Sequence, residues 1–139
     1  MDFGLTDEQE QLQKEVKRFA DNEIRPNAVE YDVEEKFPHD IVDEAAEMGL
    51  VGMSIPIDYG GAGYDPISNI LVGEELFAAD PGIGLSIMAC SFGTENIIEF
   101  GTEDQKERFL PDVASGDAIS GAAISEPDTG SDVSSISTR

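Results

Sequence analysis

Apolar residues recur at three- and four-residue intervals as far as Gly116, and there the pattern stops. The stretch AISGAAIS that begins at Ala118 is small and strand-like, with no helical pattern of charge. That change divides the chain into a helical unit over residues 1–116 and the start of a β region over residues 117–139, of which only the first strand is present. The expected fold class is therefore mainly α, a helical bundle leading into one strand of an incomplete β domain.

End signals place the helices. Thr6 with Gln9 has the T-x-x-Q form of a capping box, and Leu12, Val16, Phe19 and Ala20 share one face before Pro26, which predicts a first helix over residues 7–24. Pro38 suits the first turn of a second helix whose apolar set is Ile41, Val42, Ala45, Ala46 and Met48, with Gly49 as its left-handed cap. In the loop SIPIDYGGAGYDP, the glycines Gly60, Gly61 and Gly63 lie between Pro56 and Pro66 and mark a connector that crosses something closely. No Gly-Lys-Ser/Thr follows, so it is not a Walker phosphate loop. Residues 67–79 read as a third helix and residues 83–100 as a fourth, apolar on most sides up to Phe92 and thus suited to the middle of a bundle. Thr102 and Gln105 form a second T-x-x-Q box, opening a helix that carries Phe109 and Leu110 before SGD at residues 115–117 turns the chain.

With 40% hydrophobic residues in 139, the chain can bury one modest core. Thirty acidic residues against 8 basic ones give a net charge of −22, which repels polyanions and excludes nucleic acid as a partner. The acids are spread between apolar residues at helical spacing, the arrangement of a folded chain with a charged skin. A halophilic source accounts for them more simply than a cation site does, and no metal ligands are assigned. No apolar run approaches a membrane span, and MDFGLTDEQEQ lacks the regions of a signal peptide, so a cytoplasmic protein without membrane insertion is expected. Cys90, in IGLSIMACSF, reads as a small buried hydrophobe, and His39, beside Asp40 on an exposed turn, as solvated.

The segment SEPDTGSD, residues 125–132, concentrates hydroxyls and carboxylates. Asp128-Thr129-Gly130 has the letters of the aspartic protease triplet, but that triplet continues an apolar strand and here Glu-Pro precedes it. A calcium loop needs a closing glutamate after Asp132, and a serine nucleophile needs G-x-S-x-G with a histidine base; neither pattern is met. Two readings remain. One is a neutral cradle, where Gly130 allows close approach and Ser125, Thr129 and Ser131 bind phosphate or the polar edge of a ring; the other is an ordinary solvated turn. Met88 and Phe92, four residues apart, likewise either line a ligand cavity or pack in the core.

Three motifs, in order, resemble the amino-terminal part of the acyl-CoA dehydrogenases. PIDYGGAG at residues 56–63 is similar to the family's P-x-x-Y-G-G-x-G loop, and FGTEDQKERFLPDVASGD at residues 100–117 to its G-T-x-x-Q-K-x-x-x-L-P-x-x-x-x-G segment. ISEPDTGSD at residues 124–132 is similar to its V-T-E-P-x-A-G-S-D flavin and substrate motif, and the resemblance runs from Leu5 to Arg139. It implies a helical domain, a middle β domain and a C-terminal four-helix domain, with FAD held between the β domain and helices of a neighbouring subunit in a homo-oligomer. By position, Ala122, Ala123, Ile124 and Ser125 belong to the FAD-binding segment, Ser125 near the flavin ring. Gly130 and Ser131 match the Gly-Ser near the FAD pyrophosphate, and Ser131 also matches a contact to acyl-CoA. The fourth helix resembles the one lining the acyl pocket, which makes Met88 and Phe92 chain-length candidates, while Glu126 and Asp132 read as turn-stabilising. Ala122 stands where some members have an aromatic residue, and Thr129 replaces the usual Ala.

The activity implied is α,β-dehydrogenation of acyl-CoA thioesters. A glutamate from the C-terminal domain removes the α proton while hydride leaves the β carbon for flavin N5, and an electron-transfer flavoprotein or similar acceptor takes the electrons. That glutamate is missing from these residues, so no catalytic residue is assigned. The expected function is the N-terminal portion of a FAD-dependent acyl-CoA dehydrogenase, catalytically incomplete as given. The alternative is a non-catalytic helical interaction module or split subunit that associates with a related dehydrogenase.

Overall fold

The computed structural model describes residues 4–138; the expected end of the resemblance at Arg139 lies outside them. Helix α1 spans Asp7–Phe19 and opens on the anticipated capping box: the Gln9 N–H donates to Thr6 Oγ1 at 3.2 Å and the Thr6 N–H to Gln9 Oε1 at 3.1 Å. The helix then widens into a π turn, Ala20–Ile24, in which the Arg25 N–H donates to the Ala20 carbonyl at 2.9 Å. A regular helix would carry Glu23 under Val16. The wider turn brings Ile24 to the buried side instead, and Ile24 and Val16 are both fully buried. A short helix α2, Ala28–Glu34, follows, with no buried residue and a left-handed Glu35 after it. It went unanticipated because Pro26 reads as a stop and no apolar face marks it.

Helix α3 spans His39–Glu47, so Pro38 precedes its first turn instead of lying within it. Gly49 is left-handed as expected (φ 75°), and by reversing the chain there it leaves Met48 exposed and gives its place in the core to Leu50. The glycine-rich loop does cross itself: a Cβ on Gly61 would lie 2.0 Å from the Ile55 carbonyl oxygen, while the Gly63 N–H donates to that oxygen at 2.9 Å. The Tyr59 hydroxyl at its tip donates to Glu103 at 2.7 Å, which pushes the phenol up to about 12.

Helices α4, Pro66–Ala79, and α5, Pro81–Ala89, are capped by Asp65 and Asp80, whose carboxylates accept from backbone N–H groups of the first turns. They approach at Gly84, where a Cβ would sit 3.1 Å from the Leu76 backbone. Val72, Leu76, Ile83 and Ile87 from this pair join Val16, Ile24, Ala45 and Leu50 in the main core. The fourth helix expected over residues 83–100 is in fact two, α5 and α6 (Thr94–Phe100), broken at Gly93, whose φ of 93° is incompatible with a continuing helix. Helix α7, Glu103–Ala114, begins on the second capping box and with α6 and Ile55 encloses a smaller core around Leu110 and Val113.

Gly116, left-handed at 85°, ends the helical part. The fold is mainly helical, as anticipated. The strand-like residues after Ala118 run extended but make only a single parallel bridge, Ser91 with Ser120, and no strand ladder forms among the described residues. Small residues favour extended chain, yet a strand exists only where a second one pairs with it.

Candidate functional site

Residues 125–132 form a turn closed on itself. The Glu126 N–H donates to the Thr129 carbonyl at 2.8 Å and the Thr129 N–H to the Glu126 carbonyl at 3.1 Å, with Pro127 and Asp128 at the corner. The Glu126 carboxylate accepts from the Thr138 hydroxyl and N–H and from the N–H and hydroxyl of Ser137, the latter two at 2.9 Å. Those donors, the Thr138 hydroxyl foremost, lower its pKa to about 2. Asp132 accepts from the hydroxyls of Ser134 and Ser135 and is lowered as well. Both carboxylates are thus tied down and weakly basic, the opposite of what a general base near neutral pH requires.

What the turn leaves open is hydroxyl and backbone. Ser125, Gly130 and Ser131 are exposed, and a Cβ built on Gly130 would meet nothing within 4 Å. Among the described residues, the N–H groups of Ala122, Ala123, Ile124, Ser125, Gly130 and Ser131 donate no hydrogen bond. Unpaired donors on extended chain, with free hydroxyls and a glycine open to approach, are the chemistry that holds phosphate oxygens and the polar edge of a heterocycle.

The segment is attached to the helices at the α5–α6 break. The Ser120 N–H donates to the Cys90 carbonyl at 2.8 Å, and Ala122 lies against Gly93. Phe92, in the break itself, is 51% exposed, so it is not a core residue and faces out next to the attachment. Met88, one turn earlier on α5, is half-buried against the main core, its Sδ and Cε 3.4 Å from where a Gly73 Cβ would be. The structure therefore brings Phe92 to the root of the segment and leans Met88 onto α4, while Gly130 and Ser131 sit at its outer turn with no hydrogen bond to the helices among the described residues. Sequence reasoning missed Ser91, Gly93 and Ser120, which make the joint; a glycine inside an apolar helical run was the available signal.

Other candidates behave as anticipated. Cys90 is buried, its thiol donates to the Ser86 carbonyl at 3.0 Å, and burial raises its pKa. His39 is exposed with its ring 4.7 Å from that of Phe37. A cleft of about 760 Å³ between α1 and the start of α4, lined by Thr6, Leu12, Tyr64 and Asp65 among others, contains none of the predicted site residues. No helix among the described residues is long and apolar enough to cross a membrane.

Residues 6–117 match the family model for the acyl-CoA dehydrogenase N-terminal domain. A probable acyl-CoA dehydrogenase of Bacillus subtilis (strain 168) is 40% identical over 140 residues, an overlap that takes in 100% of this chain and 37% of the relative. Butyryl-CoA dehydrogenase from Megasphaera elsdenii superimposes with a TM-score of 0.84 at 34% identity, covering 96% of this chain and 36% of that one. An acyl-CoA dehydrogenase from Bacillus anthracis, solved in complex with FAD, gives a TM-score of 0.83 at 32% identity over 95% of this chain and 23% of its own. The chain thus spans about a third or less of the length of these proteins.

Proposed function

Since the chain belongs to the acyl-CoA dehydrogenase family, we propose that it forms the N-terminal part of a FAD-dependent enzyme that oxidises acyl-CoA thioesters between the α and β carbons. The observation that carries this reading is the joint at the α5–α6 break, where the flavin-motif segment is rooted beside Phe92, just past the end of the helix that resembles the acyl-pocket helix.

Residues 117–139 then represent the start of a second domain, with residues 1–116 as the helical first one. The residues present fit FAD: the free N–H groups of Gly130 and Ser131 and the space over Gly130 suit a pyrophosphate, and Ser125 with the open backbone of residues 122–125 suits the edge of a flavin ring. FAD, when bound, supplies the acceptor for a hydride equivalent from the β carbon. The chain's own share is positioning. Ser125 and the extended backbone orient, Ser131 holds a phosphate or acyl-CoA group, and the apolar faces of Met88 and Phe92 exclude water and limit acyl length. Removal of the α proton falls to a base outside this set, because Glu126 and Asp132 are engaged by hydroxyls and weakly basic. An electron-transfer flavoprotein or similar acceptor, a homo-oligomeric assembly, a cytoplasmic setting and adaptation to high salt complete the reading.

The native gene product carrying these residues tests it. Purified without added flavin, it should contain FAD, and anaerobic acyl-CoA should bleach the flavin absorbance with a charge-transfer band. A spectrum unaltered across acyl chain lengths would contradict the proposal. One observation favours a second role: Phe100 is 81%, Ile119 63% and Ile124 52% exposed, apolar surface suited to a further polypeptide. A non-catalytic module would associate with a related dehydrogenase through that surface while binding no flavin.

A further inference from the structure

The helix break that joins the flavin-motif segment to α5 contains a left-handed glycine, Gly93, at which an added Cβ would press on Ala122. We propose that Gly93 is a positioning residue, which seats residues 120–122 on the end of α5 and so fixes the flavin-facing segment relative to the acyl-facing helix. The assignment rests on the reading of residues 122–131 as a wall of the flavin site.

Three contacts define the joint. The Ser120 N–H donates to the Cys90 carbonyl at 2.8 Å, and Ser91 bridges Ser120 in parallel. A Cβ at position 93 would stand 3.1 Å from Ala122 Cβ and 3.5 Å from both the Ala122 nitrogen and the Gly121 carbonyl carbon. Gly93 is itself held: its N–H donates to the Glu95 carboxylate at 3.0 Å, and the buried Thr94 hydroxyl after it donates to the Ser91 carbonyl at 2.8 Å. Its φ of 93° is one that only glycine adopts freely. Beyond Ser120, no hydrogen bond joins residues 121–125 to any other described residue. The register of that stretch against α5 is therefore set by one backbone hydrogen bond and by the close passage of Ala122 over Gly93. A methyl group at position 93 requires Ala122 to give by a few tenths of an ångström, at the point where the run to Ser125 begins.

The test uses the native gene product with Gly93→Ala and with the double change Gly93→Ala/Ala122→Gly, reading the FAD dissociation constant by flavin fluorescence and folding by thermal midpoint. Gly93→Ala is expected to weaken FAD binding about tenfold. The double variant keeps the left-handed strain but loses the methyl contact, so it should recover most of the affinity without recovering the midpoint. Affinity unchanged in the single variant, or equally weak in both, overturns the assignment. If Gly93→Ala does not fold, Ala122→Val presses on the same contact from the other side without backbone strain, and wild-type affinity there overturns it too. A native product that binds no FAD removes the reading of the flavin wall and this assignment with it, whereas FAD binding indifferent to position 93 removes only the assignment.

Discussion

Glu126 shows how a carboxylate in a family motif can be structural. Four donors from Ser137 and Thr138 converge on it and lower its pKa from 4.5 to about 2. Because the folded value lies below the unfolded one, its contribution is complete above 4.5 and fades as the pH falls toward 2. The Ser137 and Thr138 amide resonances should accordingly hold their neutral-pH shifts down to mildly acid conditions and move only near pH 2. A midpoint near 4.5 would mean the carboxylate is free in solution. In Glu126→Gln, whose amide does not titrate, that movement near pH 2 should disappear. That the segment was a polar turn could be read from Pro127 and Gly130; that residues 137–138 fold back onto Glu126 could not, because a hydroxyl eleven residues away carries no local signal.

At the scale of elements, what was legible was what side chains enforce locally. Both capping boxes appear with reciprocal hydrogen bonds, because Thr and Gln three residues apart satisfy each other's backbone whatever lies around them. The glycine-rich connector was legible for a similar reason. Gly61→Ala would press a methyl onto the Ile55 carbonyl, an atom fixed by its own hydrogen bond from Gly63, and should cost about 3 kcal/mol in urea unfolding. A loss within the scatter of surface substitutions would show that the loop relaxes. The errors came from tertiary demands. Apolar residues on both sides of Gly93 extended the helical pattern across a break imposed by the passage of residues 120–122, and the π turn at Ala20–Ile24 serves the burial of Ile24. The joint between α5 and the flavin-motif segment was hidden with them, since its hydrogen bond runs between backbone groups of Cys90 and Ser120.

For the whole molecule, charge is the dominant fact. A net charge of −22 is distributed unevenly, for no lysine or arginine lies between Lys36 and Lys106 or between Arg108 and Arg139. The end of α1 and the π turn after it compensate locally, Lys17 and Arg25 both pairing with Asp21, but α3 to α6 have no lysine or arginine of their own. Self-repulsion over that part falls as the screening length shrinks from about 10 Å at 0.1 M salt to about 3 Å at 1 M. The thermal midpoint should therefore climb steadily with KCl over that range, and a flat or falling curve would show that the acidic skin is not limiting stability. The proposed flavin wall at residues 122–131 can be probed by hydrogen–deuterium exchange of the native gene product with and without FAD. The N–H groups of Ser125, Gly130 and Ser131 donate to nothing among the described residues, so peptides covering residues 125–132 should gain protection when FAD binds. Exchange in those peptides that ignores bound FAD would contradict the account.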